Sequence, residues 1–546
     1  MKQKLILTAL LLSTFISVMD TTIVNIAIPD LLNRFSCSLS QAGWVATGYN
    51  LAFAVVLVAA SKLADHLGRK KAFIFGLSLF VAVSAAACFS SSIEMLIALR
   101  VIQGLAAAFI VPVTMPIALN LISEERKGML IGIWGAFSGL AATAGPMLGG
   151  IIIQKINWQA IFFINIPLGL ICLLLAVLFI TESYDSSADH RIDFFGMLVL
   201  SSALFCLTFG FARVSDDGWT SLPVMLLFAS SAVLFILFFI IECKTKSPMI
   251  PIQMLKVRTF AFSSLTLFML GLGLTGGTLI ITLLLTNLMG KTELEAGFII
   301  SSLALSSMFT SALSGIWRSV WLPSIGMLGL TVSTYLYGFI SYDSSIYFVV
   351  LLLSFSGLAL GFVIGPVMGT GIKHIAYEKT GMASGIMNMM RTVGQAVGIA
   401  ILTSLLTANM TIHTELAKKE AIALAEQDSI LDPSTKAEFI NQLQHSNNTN
   451  SFSQTKTTET IDRKESEVLN SVPKKEQKQK KQQLNIQKNE VLLLQNKITT
   501  LYKENISFSF QSTCKTGGYI LILGIIFAIF INVKQRKKEK PQKAVS

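Results

Sequence analysis

Three charged side chains, Asp20, Arg100 and Arg391, lie deep inside long apolar stretches of this sequence. A charge among apolar residues is costly unless it is paired or hydrated, so such residues often mark a functional site. A carboxylate in this setting can bind and release a proton, and a guanidinium can pair with it or hold an anion. The sequence places no cluster of nucleophile, base and metal ligands beside them, so the chemistry indicated is binding rather than catalysis.

Asp20 and Arg100 have positions that allow them to meet. At about 1.5 Å per residue, Asp20 lies about 22 Å from the cytoplasmic end of the first apolar stretch, near the depth of Arg100 in the fourth. Asp20 is the only acid well inside the first six stretches. Two interpretations remain open: a buried structural ion pair, or a proton carrier whose protonation changes with conformation. Asn25 and Gln103 are nearby polar residues and are candidates for a substrate cavity.

Arg391 lies about 14 Å into its own apolar stretch, near the middle of the membrane. Asn388, Arg391 and Gln395 stand at i, i+3 and i+7, so they form one polar stripe on a helix. We expect this stripe to line a hydrated cavity, with Arg391 orienting acceptor groups of a substrate or reaching a carboxylate such as Asp20. The alternative is that Arg391 extends to the membrane surface or caps backbone carbonyls.

Membrane-spanning helices are the elements that position these residues. The chain has 546 residues, 53% hydrophobic and 14% charged, which is more apolar side chain than a soluble core buries. Its apolar runs of about 20 residues match the thickness of a bilayer, which only helices or closed barrels can cross. We predict an all-α polytopic protein of about fourteen spans. The predicted regions are a six-helix bundle (1–181), two inserted helices (182–257), five helices (258–410), a long polar loop (411–515), a last span (516–533) and a basic tail (534–546).

Cationic residues occur at alternate helix ends, for example at Lys62, Arg126 and Lys244. This is the positive-inside pattern, and an even number of spans then puts both termini in the cytoplasm. The pattern also accounts for the net charge of +12, so we predict no nucleic-acid partner. The six cysteines and five histidines have no ligand-like spacing, so no metal or cofactor is predicted.

The predicted loop at 411–515 is rich in Lys, Gln, Asn, Ser and Glu, a composition typical of disordered or loosely helical segments. Helix parity places it outside the cytoplasm. Within it, residues 484–506 have apolar side chains at helical spacing. This segment is expected either to form a solvated helical hairpin or to pack on a partner or on the chain itself.

An internal repeat relates the two halves of the chain. The segment beginning at Gly104 recurs at Gly357, and Gly145 likewise corresponds to Gly398, at an offset of about 253 residues without gaps. This offset maps the cytoplasmic end of a helix in the first half onto the cytoplasmic end of a helix in the second half. The two halves therefore have the same orientation across the membrane. Parallel halves of this kind enclose a cavity at the middle of the membrane.

Four motifs resemble those of the fourteen-helix drug:proton antiporter family of the major facilitator superfamily. They are MDTTIVNIAIPDL from Met19, SKLADHLGRKKAF from Ser61, LIALRVIQGLAAA from Leu96 and AGPMLGG from Ala144. The run WQAIFFINIPLG from Trp158 resembles the family's sixth-helix signature. The chain departs from the family at Ser61, where glycine is usual, and at His66, where arginine is usual.

The resemblance implies roles for particular residues. Asp65, Gly68 and Arg69 would form a cytoplasmic gate, in which Asp65 faces helix N-termini and Arg69, with Lys70, lies at anionic headgroups. Asp20 and Arg100 would couple transport to protons. The antiporter motif, implied to seal the fifth helix against a second-half helix, contains Gly145, Pro146, Gly149 and Gly150.

The resemblance also implies an activity. We expect a transporter rather than an enzyme, located in the inner (plasma) membrane, which exports a small lipophilic substrate by alternating access in exchange for protons. Membrane lipids and a periplasmic adaptor protein are the expected partners. The alternatives are export of a specific metabolite, siderophore or lipid, and a non-transporting membrane sensor or scaffold.

Overall fold

The computed structural model describes residues 2–37, 39–184, 193–245, 252–317, 319–373, 379–428, 433–445 and 477–532, together with Ile375 and Ile430. Within these ranges the chain forms helices and no strands, so the all-α prediction is confirmed. The predicted basic tail at 534–546 lies outside the described residues.

The first half and the inserted pair comprise nine helices in the described ranges. They are α1 (Lys2–Phe35), α2 (Leu39–Leu67), α3 (Arg69–Ala87), α4 (Ile93–Leu119), α5 (Glu124–Lys155), α6 (Ala160–Phe163), α7 (Asn165–Phe179), α8 (Phe194–Asp217) and α9 (Leu222–Lys244). The remainder, again as far as it is described, consists of α10 (Ile252–Leu255), α11 (Arg258–Leu283), α12 (Glu293–Ile316), α13 (Leu322–Leu336), α14 (Ile346–Gly361), α15 (Ile364–Ile372), α16 (Thr380–Gln427), α17 (Pro433–His445) and α18 (Gln477–Asn532).

Thirteen helical stretches of the described chain are long and apolar enough to cross a membrane. One helix of the predicted five-helix region 258–410, α13, is not among them. It has 15 residues, and a 3₁₀ turn, Tyr337–Phe339, continues it. Its α-helical part is therefore shorter than the roughly 20 residues that cross a bilayer on their own.

The sixth predicted span comprises α6 and α7, which are separated only by Ile164, a residue whose own backbone angles are helical. α6 ends at Phe163 and α7 begins at Asn165, two residues before Pro167. Proline is tolerated in the first turn of a helix because its missing N–H would have no partner there. Asn165 lies at the start of α7 with its polar side chain facing into the first bundle, where it is fully buried.

The chain divides into two compact units. The larger comprises Met1–Tyr337, Ser345–Ser404 and Cys514–Ser546, and it contains the membrane helices described so far. The smaller comprises Gly338–Ser344 and Leu405–Thr513.

The smaller unit is helical where it is described, because α16 and α18 both continue far beyond the length of a span. Ala417, Ala421 and Ala425 of α16 share a buried apolar cluster with residues of α17 and α18, including Phe439 and Ile498. Alanines four residues apart leave room for close helix packing. The predicted polar loop thus has helices and a core of its own, and the segment 484–506 packs within the chain.

Candidate functional site

Asp20 of α1 is at the centre of a buried polar cluster in the first bundle. Arg100 Nη1 of α4 donates to Asp20 Oδ2 in an ion pair in which both side chains are completely buried. Asn165 Nδ2 of α7 donates to Asp20 Oδ1 at 2.7 Å, and Gln103 Nε2 donates to the same oxygen at 3.3 Å. The carboxylate therefore has hydrogen-bond donors on both oxygens, as a buried negative charge requires.

Arg100 and Gln103 connect the cluster to neighbouring helices. Arg100 Nη1 also donates to Gln103 Oε1 at 2.7 Å, and Arg100 Nε donates to the Val45 carbonyl of α2 at 3.1 Å. Gln103 Nε2 donates to Ser84 Oγ of α3 at 2.8 Å. The guanidinium lies over the ring of Tyr49, 4.4 Å from its centroid, which adds a cation–π contact. Arg100 of α4 thus contacts α1 and α2 directly, and Gln103 connects it to α3.

Two atoms of the cluster remain without a hydrogen-bond partner in the described part of the chain. They are Arg100 Nη2 and Asn165 Oδ1, and both are buried. Asp20, Arg100, Gln103 and Asn165 have no solvent-exposed surface, so the site is closed in this conformation. A carboxylate held in this way can bind a proton only when the helices around it move.

The sequence correctly predicted that Asp20 and Arg100 meet and that Gln103 lies beside them. Asn25 is not part of this cluster, because it is exposed on α1, about one turn beyond Asp20. Sequence reasoning did not find Asn165, although an amide inside the apolar run FFINIPLG was a usable signal.

The gate loop differs from its sequence interpretation. Arg69 is only 3% exposed and its Nε donates to Asp65 Oδ1 at 2.7 Å, so it is paired one helical turn away instead of lying at headgroups. Gly68 between them has φ of +115°, a backbone conformation that strains residues with a Cβ atom.

Glu182, which the sequence analysis did not single out, binds this loop. Its Oε1 accepts the backbone N–H of Lys70 at 2.9 Å, and the Arg69 N–H donates to the Ser183 carbonyl at 3.0 Å. Lys70 Nζ also donates to the Val177 carbonyl at 3.0 Å. A Cβ at Gly68 would lie 2.6 Å from the Glu182 carboxyl carbon. The loop between α2 and α3 is therefore fastened to the end of α7.

The glycines of α5 divide between two partners. A Cβ at Gly145 would lie 1.9 Å from Thr22 Oγ1 and 3.0 Å from the Met19 carbonyl oxygen, so this glycine packs on α1. Gly149 packs on Ile23 of the same helix. The implied seal to a second-half helix does not form at Gly145 or Gly149, because α1 occupies that face.

The opposite contact of α5 is with α12 of the second half. A Cβ at Gly150 would lie 2.9 Å from Leu294 Cδ1 and 3.1 Å from its Cα. The carbonyl oxygen of Pro146 lies 3.0 Å from a Cβ placed at Gly297. Pro146 and Gly150 therefore lie in contact with α12 of the second half, and their role as a seal stays a prediction.

The predicted polar stripe of α16 is present, but it is not joined to Asp20. Asn388 is buried and donates from Nδ2 to the Ser384 carbonyl at 3.0 Å, while Arg391 and Gln395 are half-buried. The buried Nε of Arg391 has no hydrogen-bond partner among the described residues, and Asp20 is paired with Arg100. Arg391 is therefore a cation in the middle of a span for which the described chain supplies no counter-ion.

Comparison with known proteins gives the family. The sequence model of the Major Facilitator Superfamily matches residues 10–399. The methylenomycin A resistance protein of Bacillus subtilis (strain 168) is 30% identical over 403 residues, covering 72% of this chain and 86% of that protein. The multidrug resistance protein Stp of Mycobacterium tuberculosis (strain CDC 1551 / Oshkosh) is 30% identical over 441 residues, covering 79% and 80% respectively.

A solved structure shares the fold. The human organic anion transporter MFSD10 (TETRAN) superposes with a TM-score of 0.56 at 15% sequence identity, over 74% of this chain and 93% of that one. The helical architecture, the match over residues 10–399 and the two relatives agree. The chain belongs to the Major Facilitator Superfamily.

Proposed function

We propose that this protein is a proton-coupled exporter of small lipophilic molecules, of the drug-resistance type. Relatives similar to it over about three-quarters of its length are named for resistance to, or export of, such compounds, among them the tetracenomycin C resistance and export protein of Streptomyces glaucescens at 29% identity. As a member of a transporter family, the chain is a transporter rather than an enzyme. The observation that favours proton coupling is the fully buried Asp20–Arg100 pair.

The coupling step follows from the geometry around Asp20. In the closed cluster the carboxylate is stabilised by three donors and is out of contact with water. A rearrangement that pulls α1 away from α4 removes the Arg100 contact and hydrates Asp20, so the acid then binds a proton from the outer side. When the helices next open the cluster toward the cytoplasmic side, Asp20 releases the proton to water there and pairs with Arg100 again.

The gates act at the two contacts described above. Asp65, Gly68 and Arg69 hold the cytoplasmic loop against the end of α7 through Glu182, and α5 joins the halves through Pro146 and Gly150. Pro146 and Gly150 lie toward the outer end of α5, so opening toward the outer side requires α5 and α12 to part there. The close backbone approach at both places favours rigid-body movement of packed helices over bending within them.

Arg391 supports a preference among substrates. An unpaired cation beside Asn388 and Gln395 attracts anionic or acceptor-bearing molecules and repels other cations. We therefore propose that the stripe lines the substrate cavity and extends the range of substrates to neutral and anionic compounds.

The remaining parts of the proposal concern location and partners. Thirteen membrane-length helices and the family support a multi-pass membrane protein, and the alternating cations support an inner (plasma) membrane with both termini in the cytoplasm. Lipids would contact the exposed apolar faces of α8 and α9. A periplasmic adaptor would bind the smaller helical unit, 338–344 with 405–513.

An efflux screen in a pump-deficient host tests the function. Cells expressing the protein are loaded with cationic, neutral and anionic dyes and with a panel of metabolites, siderophores and lipids, with and without a protonophore. Protonophore-sensitive efflux of lipophilic dyes is expected. Export confined to one metabolite class would replace the drug-export proposal, and no export of any compound by a well-inserted protein would leave a sensor or scaffold.

A further inference from the structure

We infer that Asn165 is the hydrogen-bond partner of Asp20 in both of its protonation states, donating to the carboxylate and accepting from the carboxylic acid after its side-chain amide rotates. This inference rests on the proposed proton-carrying role of Asp20. It assigns a second proton-coupling residue, on α7, to a cluster that the sequence attributed to α1 and α4 alone.

The argument begins with what a protonated Asp20 needs. A buried carboxylic acid has an O–H group that must find an acceptor, whereas the carboxylate needs only donors. All three side chains that contact Asp20 in the structure act as donors to it. One of them must therefore change its role when the proton arrives, or the acid is left unsatisfied.

Two of the three side chains cannot change their role. Arg100 has only donors. Gln103 is fixed at both ends of its amide, because its Oε1 accepts from Arg100 at 2.7 Å and its Nε2 donates to Ser84 Oγ at 2.8 Å. Rotating the Gln103 amide would put nitrogen against the guanidinium and break both contacts.

Asn165 has the acceptor that is missing. Its Nδ2 donates to Asp20 Oδ1 at 2.7 Å, while its Oδ1 is buried with no partner in the described chain. Rotation of the amide by about 180° exchanges these two atoms. The carbonyl oxygen of Asn165 then faces Asp20, and no other hydrogen bond of the described cluster has to break.

The proton has a defined destination in this arrangement. Once α1 has moved away from Arg100, the proton taken from water on the outer side binds Asp20 Oδ1, the oxygen that faces Asn165, and the new O–H is donated to Asn165 Oδ1. The charged or titratable described groups that face Asp20 are Arg100 and Tyr49, whose ring stacks on the guanidinium. Each orientation of the Asn165 amide leaves one of its atoms unpaired, so neither state is locked and the change is reversible on proton release.

The test compares three variants in proteoliposomes. Asn165→Leu keeps the branched shape of the side chain but cannot hydrogen-bond, and Asn165→Ser can still donate or accept. Asn120→Leu makes the matched amide-to-leucine change at the exposed C-terminal cap of α4. Two activities are measured with one lipophilic dye: accumulation driven by a pH gradient, and dye counterflow, which needs no net proton movement. Infrared difference spectra between high and low pH give the carbonyl band of protonated Asp20, identified by its loss in Asp20→Asn.

We expect Asn165→Leu to lower pH-driven accumulation by about tenfold or more while counterflow stays near wild type. Its carboxyl band should move to higher frequency, because the acid has lost the acceptor for its O–H. Asn165→Ser should recover much of both, and Asn120→Leu should change neither.

An unchanged carboxyl band in a folded Asn165→Leu protein would overturn the inference, as would full coupling in Asn165→Leu. If Asn165→Leu does not fold, a band in Asn165→Ser at the wild-type frequency with wild-type coupling would support the two-way role, and a band shifted as for a free acid would refute it. Absence of any band sensitive to Asp20→Asn in the wild type would instead contradict the proposed proton carrier itself.

Discussion

Replacing Asp20 by asparagine tests the candidate site most directly. The change keeps the size of the side chain but removes the negative charge and the exchangeable proton. Arg100 then lies fully buried beside a neutral amide, with no counter-ion in the described cluster. Removing one partner of a buried ion pair typically costs about 3–5 kcal/mol. The variant should therefore be less stable as well as uncoupled.

A double variant separates these two effects. In Asp20→Asn with Arg100→Gln both charges are gone, so most of the lost stability should return, because replacing a whole buried pair is often close to neutral. Coupling should not return, since neither residue can carry the proton. Thermal unfolding in detergent gives the stability, and pH-driven dye accumulation against dye counterflow gives the coupling.

The expected pattern is that Asp20→Asn is destabilised and uncoupled, and that the double variant is stable and still uncoupled. Asp20→Glu serves as the control that keeps the exchangeable proton. Full pH-driven accumulation in either variant lacking the acid would refute the reasoning, because the proton would then bind elsewhere. A double variant as unstable as the single one would show that the cost does not come from the unpaired arginine.

Three further substitutions have defined outcomes. Gly145→Leu should abolish coupled transport, since even a Cβ there would lie 1.9 Å from Thr22, whereas Gly43→Leu, where nothing lies within 4 Å, should be tolerated in the same efflux assay. Glu182→Ala should speed tryptic cleavage at Lys70 in inside-out vesicles, because the backbone N–H of that residue loses its acceptor; unchanged cleavage would argue against the fastening. Arg391→Ala should shift the ratio of anionic to cationic dye efflux toward cations, and an equal loss of both would leave this arginine a structural role only.

The depth of a residue along a helix could be predicted from the sequence, and the rotation of helices about each other could not. A rise of about 1.5 Å per residue was enough to bring Asp20 and Arg100 to one level. The same arithmetic suggested Asn25 for the cavity, yet Asn25 is exposed. Five residues along a helix correspond to about 140° of rotation, so proximity in sequence did not mean a shared face.

Asn165 was missed for a different reason. It lies at the start of α7 in an almost wholly apolar run, and hydropathy does not show which side of such a helix faces Asp20. The apolar pattern of the sixth span shows no interruption there.

The packed core of the smaller unit was not predicted, because the composition of this segment is typical of disordered or loosely helical chains. Its core uses alanines such as Ala417 and Ala421, which add little to a hydropathy pattern.

The two sides of α5 explain how a proton at Asp20 can act on a gate in the other half. On one side, Gly145 lets α5 approach the carbonyl oxygen of Met19, the residue directly before Asp20. On the other side, Gly150 lets α5 approach Leu294 of α12. Both contacts are too close for a methyl group to enter, so neither can absorb a displacement by compression. A shift of α1 that breaks the Arg100 contact must therefore move α5 or separate from it. If it moves α5, the interface with α12 changes in the same step, and protonation and opening are linked through one helix.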